Sequence, residues 1–117
     1  MRYQEIHEKA DQAGQEAAHE CTPTPMVVQS FGHSPREYYI PQGVCGFAYV
    51  NVKPGTSGFA RWLKAQNIAS KDSYRGGVTM SVFLYNQSME LKNAYATAYA
   101  KILLKEGIHA YSYSMMD

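Results

Sequence analysis

Between Lys53 and Gly58 the chain reads Lys-Pro-Gly-Thr-Ser-Gly, and the apolar-periodic stretch that follows carries Arg61 and Lys64. A helix starting after such a loop leaves its first main-chain N–H groups unpaired, and its dipole adds partial positive charge there. With Thr56 and Ser57 as donors, and Lys53, Gly55, Arg61 and Lys64 around them, the stretch has the chemistry to hold a phosphate or nucleotide. Arg75, just ahead of Gly76-Gly77, would reach the same end of a sheet, because both loops flank strands. No Gly-Lys-Ser/Thr triplet is present and no acidic residue is placed to hold magnesium, so the spacing is not that of a P-loop. Simple capping by Thr56 or Ser57 explains the same residues without a ligand.

A second surface comes from the alternation Gly46-Phe47-Ala48-Tyr49-Val50-Asn51. If the faces Val44, Ala48, Val50, Val52 and Val78, Met80, Val82, Leu84 lie under helices, then Phe47, Tyr49, Phe83, Tyr85, Tyr111 and Tyr113 share the opposite face. An open aromatic sheet face stacks bases in RNA-recognition domains, and this stretch resembles the core of their ribonucleoprotein motif. It departs at Cys45, where that motif has a basic residue, and at Val52, where it has an aromatic one. It departs in order too, since two strand-and-helix crossings follow. The alternative is that the first helix or a second subunit covers the rings and leaves their hydroxyls at a rim.

Metal and nucleophile chemistry has less to stand on. His19 and Cys21 are two apart, and Cys45 and His109 would meet only across a sheet. Neither follows a zinc spacing, and a lone strand cysteine is most often a small buried hydrophobe. No catalytic residue, metal ligand or cofactor is therefore assigned.

The elements that must hold these surfaces follow from periodicity. Residues 2–19 read as a helix with Ile6, Ala10, Ala13, Gly14 and Ala17 inward, a seam of small residues suited first to packing within the domain and second to a dimer. Thr22-Pro23-Thr24-Pro25 ends it. Met26-Val27-Val28 reads as a short edge strand, 29–37 as a mobile loop, and Tyr38-Tyr39-Ile40 as one arm of a hairpin that turns at Gln42-Gly43 into a strand over 44–52. A helix over 57–66, a polar link over 67–77 and a strand over 78–85 follow. A helix then runs from an Asn86 or Ser88 cap to Glu106 with Leu91, Ala94, Tyr95, Ala98, Ile102 and Leu103 inward, and a strand over 108–115 closes the order. The spacing predicts an α+β fold of α/β-like order: one domain spanning 1–117, with an N-terminal helix over 1–20 and, over 26–117, one mixed sheet of about four to five strands with two further helices. Right-handed crossovers would put both later helices on one face if the strand order moves in one direction.

Composition adds bounds. Eleven basic and ten acidic residues give a net charge of +1, so any charged partner must be read by a local patch. Two cysteines in a chain that opens on a charged helix imply free thiols in a reducing interior and no targeting segment. No apolar run approaches the ~20 residues of a membrane span. A soluble intracellular protein is the expectation. Ten tyrosines are the unusual feature, and tyrosine collects where surfaces are half buried or touch partners.

Taken together, residues 21–28, 43–54, 59–64, 76–78 and 86–88, with the closing Met-Asp, look like a family of small proteins encoded by tailed bacteriophages. No activity is attached to that family, so the resemblance implies a setting and no catalytic residue: the cytoplasm of an infected bacterium and a host or phage component as target. The leading expectation is a homodimeric, non-enzymatic binding protein that sequesters or blocks such a component, for example in host defence. The alternatives are a nucleic-acid-binding module using the aromatic face with Arg61, Lys64 and Arg75, and an enzyme or sponge for a small phosphorylated ligand at the Lys53 to Gly58 loop.

Overall fold

The computed structural model describes residues 2–21, 26–29, 37–40, 46–82 and 88–116, the segments 26–29 and 37–40 and Met116 by their backbone alone. In chain order these form α1 (Arg2–Glu20), β1 (Met26–Gln29), β2 (Glu37–Ile40), β3 (Gly46–Val52), α2 (Gly58–Ala65), β4 (Ser70–Lys71), β5 (Val78–Ser81), α3 (Met89–Lys105) and β6 (Ala110–Met116). The result is an α+β fold, with three helices on a four-stranded sheet of order β4-β5-β3-β6.

Every neighbouring pair in that sheet is antiparallel, which corrects the expected mixed sheet. The βαβ crossovers are nonetheless present in split form. β3 and β4 run parallel with β5 between them, and β5 and β6 run parallel with β3 between them. The first crossover, through α2, moves one way across the sheet. The second, through α3, moves the other way from a strand of opposite direction. These two reversals cancel, so right-handed connections still place both helices on one face. The contacts agree: α1 packs along α3, while Tyr3 and His7 of α1 meet Phe59 and Trp62 of α2.

Three further expectations are corrected. β2 pairs with β1, in the register Met26↔Ile40 to Gln29↔Glu37, and not with the central strand; the proposed turn at Gln42-Gly43 lies outside the described residues, as do 30–36 of the expected mobile loop. Both paired segments are rich in strong strand formers. The polar link over 67–77 contains β4, because Asp72 folds it back on β5. The Asp72 Oδ1 accepts from the N–H groups of Tyr74 and Arg75 at 2.9 and 2.8 Å, and its own N–H donates to Gly77. The buried face of α3 is Lys92, Tyr95, Ala96, Tyr99, Ala100 and Leu103, displaced from the expected set because α3 is covered on two sides, by the sheet and by α1.

Caps behave as their residue types require. The Oγ of Ser57 accepts from Ala60 N at 3.3 Å and that of Ser88 from Leu91 N at 3.3 Å, each satisfying a first-turn donor. Gly107 follows α3 at φ +80°, a backbone conformation that side chains resist.

The core lies between the sheet and the helices. Ala48, Val50, Val52, Val78, Met80, Val82 and Ala110 meet Phe59, Leu63, Tyr95, Tyr99 and Leu103. The small-residue seam of α1 is used within the molecule: Ile6, Ala10, Gly14 and Ala18 are buried, at strict four-residue spacing. At Gly14 a Cβ would stand 2.6 Å from the ring of Tyr95, so glycine sets how closely α1 and α3 approach. Gly14→Val should lower unfolding stability by about 2 kcal/mol in urea titration, the usual cost of overpacking a filled seam. An unchanged midpoint would mean that the two helices are not in contact here.

Candidate functional site

The outer face of the sheet carries the aromatic residues. The β3–β6 register sets Phe47 opposite Met115, Tyr49 opposite Tyr113 and Asn51 opposite Tyr111, while Tyr49 and Asn51 also face Ser81 and Thr79 of β5. Phe47 is 40 % exposed and the three tyrosines are half buried. The Tyr49 and Tyr113 rings stack with centroids 5.0 Å apart, and Tyr111 lies 6.0 Å from Tyr113. Phe83 and Tyr85, expected on the same face, lie outside the described residues.

Cations sit on these rings. The Arg75 guanidinium lies 3.7 Å from the centroid of Tyr113, a close cation–π contact. Tyr111, which hydrogen-bonds it, reinforces its charged form. The Lys53 ammonium is 5.6 Å from the Tyr111 ring. Lys92 comes from α3. Although only 5 % exposed, it donates to the carbonyl of Gly46 at 3.2 Å and lies 5.3 Å from the Phe47 ring.

Arg75 is placed by a polar knot under the β4–β5 turn. Asn51, fully buried in β3, donates through Nδ2 to the Gly76 carbonyl at 2.9 Å and to Thr79 Oγ1 at 3.0 Å. Thr79 in turn donates to Asp72 Oδ2 at 2.7 Å. These hydrogen bonds, led by the Arg75 N–H, hold the Asp72 carboxyl below its ordinary value of 3.8. The turn lies flat because of Gly77, at φ +65°, where a Cβ would fall 2.2 Å from the Val52 carbonyl oxygen. Asn51 Oδ1 is left buried without a partner among the described residues.

The anion-loop residues divide between two places. Lys53 and Arg75 belong to the aromatic face. Gly55, Thr56 and Lys64 line a separate cleft of about 540 Å³ with Lys71, Asp72 and the Gly76-Gly77 turn. Ser57 spends its hydroxyl on the helix cap, and Arg61 is exposed outside the cleft lining. Sequence reasoning missed Asn51, Lys92 and Tyr74, which is 93 % exposed beside Arg75. Four-residue steps from Ser88 through Lys92 to Ala96 and Ala100 would have flagged Lys92 as facing inward; nothing in the sequence marks Asn51 apart from its polarity within a β strand.

On the helix side, His7 Nδ1 and the Tyr99 hydroxyl are 2.7 Å apart, beside a cavity of about 270 Å³ lined by His7, Ile68, Met80, Val82 and Tyr95. Burial pushes the Tyr99 phenol up and the His7 imidazole below its ordinary 6.5, against the pull of Asp11 and Glu8. Burial thus favours the neutral form of both groups, which share a hydrogen bond between α1 and α3. Among the described residues no group of three His, Cys, Asp or Glu could hold a metal ion, and no helix is long and apolar enough to cross a membrane. Cys45 lies outside them, so its expected pairing with the exposed His109 does too, and Cys21 is half buried, with its thiol 4.0 Å from the Glu90 carbonyl.

Compared with known proteins, the chain matches no family model, no curated sequence and no solved structure.

The lowered His7 and Asp72 values have the same sign in linkage. Each group binds a proton more readily in the unfolded chain, so its contribution is present above its ordinary value and lost as pH falls. Thermal melts from pH 7.5 to 5.5 should show falling stability, and His7→Gln should flatten that slope; the Asp72 contribution should disappear only in the carboxylate range below. An identical slope in His7→Gln would remove His7 as its source.

Proposed function

We propose that this is a non-catalytic binding protein whose outer sheet face engages a protein partner. One observation carries the reading: Arg75 is held 3.7 Å over Tyr113, which is itself stacked on Tyr49. Tyrosine and arginine dominate interface hot spots, and side chains ordered before binding lose less entropy when a partner arrives. The same contacts count against base stacking, which needs a ring face offered to solvent, whereas the Tyr113 ring is already engaged by the guanidinium and by Tyr49. The phage setting implied by the resemblance supplies a place for the activity: the cytoplasm of an infected bacterium, with a host or phage component bound and blocked.

Phe47 and Tyr74, both exposed and both near a cation, favour single-stranded nucleic acid as the second reading. The two readings separate in one set of measurements. Immobilised protein should retain a defined protein from bacterial lysate, and Arg75→Ala or Tyr113→Ala should weaken that capture by about 30-fold or more, the scale of a hot-spot loss of about 2 kcal/mol. A labelled single-stranded oligonucleotide should show no binding that falls steeply with salt. Steep salt dependence, lost in Phe47→Ala, would instead favour the nucleic-acid reading.

A further inference from the structure

Among the described strands β6 lies at an edge of the sheet, and its main-chain pattern fits a second copy of itself. Lys53 N–H donates to the His109 carbonyl, which fixes the phase of the ladder: Tyr111, Tyr113 and Met115 exchange their bonds with β3. Ala110, Ser112, Ser114 and Met116 therefore turn their N–H and C=O groups away from β3, and no described strand pairs with them. Natural sheets guard such edges with lysine, proline, bulges or very short strands. Here seven residues, Ala-Tyr-Ser-Tyr-Ser-Met-Met, carry no charge and no proline, and they pair with β3 in unbroken register. The other edge, by contrast, is the two-residue β4, which includes Lys71.

We infer that two copies of the chain pair antiparallel through β6 about a two-fold axis at Tyr113, joining their sheets into one. This register uses all four outward residues, with Ser112 opposite the partner's Ser114 and Ala110 opposite the partner's Met116. It forms about eight main-chain hydrogen bonds, two for each pair. Shifting the axis to Ser112 or Ser114 loses a quarter of them. The paired strands themselves carry no charge, and the two Tyr113 side chains, each beside its own Arg75, become neighbours on the outer face as a close, non-hydrogen-bonded pair. The flanking surface also suits a partner. Thr97, whose hydroxyl lies 3.2 Å from that of Ser112, marks the side of α3 that looks over this edge, and Leu104, two turns on, is 55 % exposed.

The inference is independent of the partner proposed above, and its failure would leave the aromatic-face reading standing. Sedimentation velocity at high micromolar concentration should show a dimer. Ser114→Pro should make it a monomer while keeping the helical circular dichroism signal, since the lost N–H is outside the β3–β6 ladder and proline is tolerated on an edge. In a background with Cys21 and Cys45 changed to serine, Tyr113→Cys should form a disulfide-linked dimer under mild oxidation and Tyr111→Cys should not, because the register sets only residue 113 against itself. A monomeric wild type, a dimer indifferent to Ser114→Pro, or cross-linking through residue 111 in place of 113 would each overturn the assignment.

Discussion

The buried amide of Asn51 is the point on which the outer face depends. A strand side chain there would ordinarily be aromatic or β-branched, and this one instead spends both Nδ2 hydrogens on the Gly76 carbonyl and the Thr79 hydroxyl. Through Thr79 it reaches Asp72, which closes the β4–β5 turn, and that turn carries Arg75 onto Tyr113. The cost is visible in the same residue: Oδ1 is buried without a partner among the described residues, a penalty on the order of 1–3 kcal/mol. A fold tolerates such a penalty where position matters more than net stability, and what is positioned here is a guanidinium on an aromatic stack.

The two sides of the sheet divide the work. The helix side is filled by small residues meeting large rings: Gly14 lies against Tyr95, and Gly58 lies so close to Tyr3 that a Cβ would meet its hydroxyl. That fit ties α1 to α3 and α2, leaving the opposite face to the tyrosines of β3 and β6. Split crossovers make this asymmetry possible in a short chain. α2 and α3 each span one intervening strand and so fall on one side, where α1 packs along α3, while neighbouring strands stay antiparallel.

Much of the architecture was legible in the sequence because it rests on local signals. The alternation of Phe47 and Tyr49 with Ala48 and Val50, the Ser57 and Ser88 caps and the glycine at 107 are short-range features, and each sits where its chemistry places it. The strand order was not legible, since periodicity does not say which strand lies between two others. β4 escaped notice because it is two residues long and owes its existence to the Asp72 turn. Charge at the candidate site was only half readable: Lys53 and Arg75 were singled out for a loop, but their partners are rings that come together only in the folded sheet. Lys92 was hidden for the opposite reason, as a cation on a buried helix face held by a main-chain carbonyl.

Trp62, the only tryptophan, stacks on Phe59 with centroids 5.9 Å apart and stands 5.7 Å from the ring of His7. Indole emission is quenched by a neighbouring protonated imidazole and shifts when the ring meets water. The molecule thus contains an optical reporter where α1 meets α2, on the far side of the sheet from Tyr49, Tyr111 and Tyr113. Excited selectively, it follows the helical layer alone, and a ligand on the tyrosine face would leave its spectrum still unless the two layers move together.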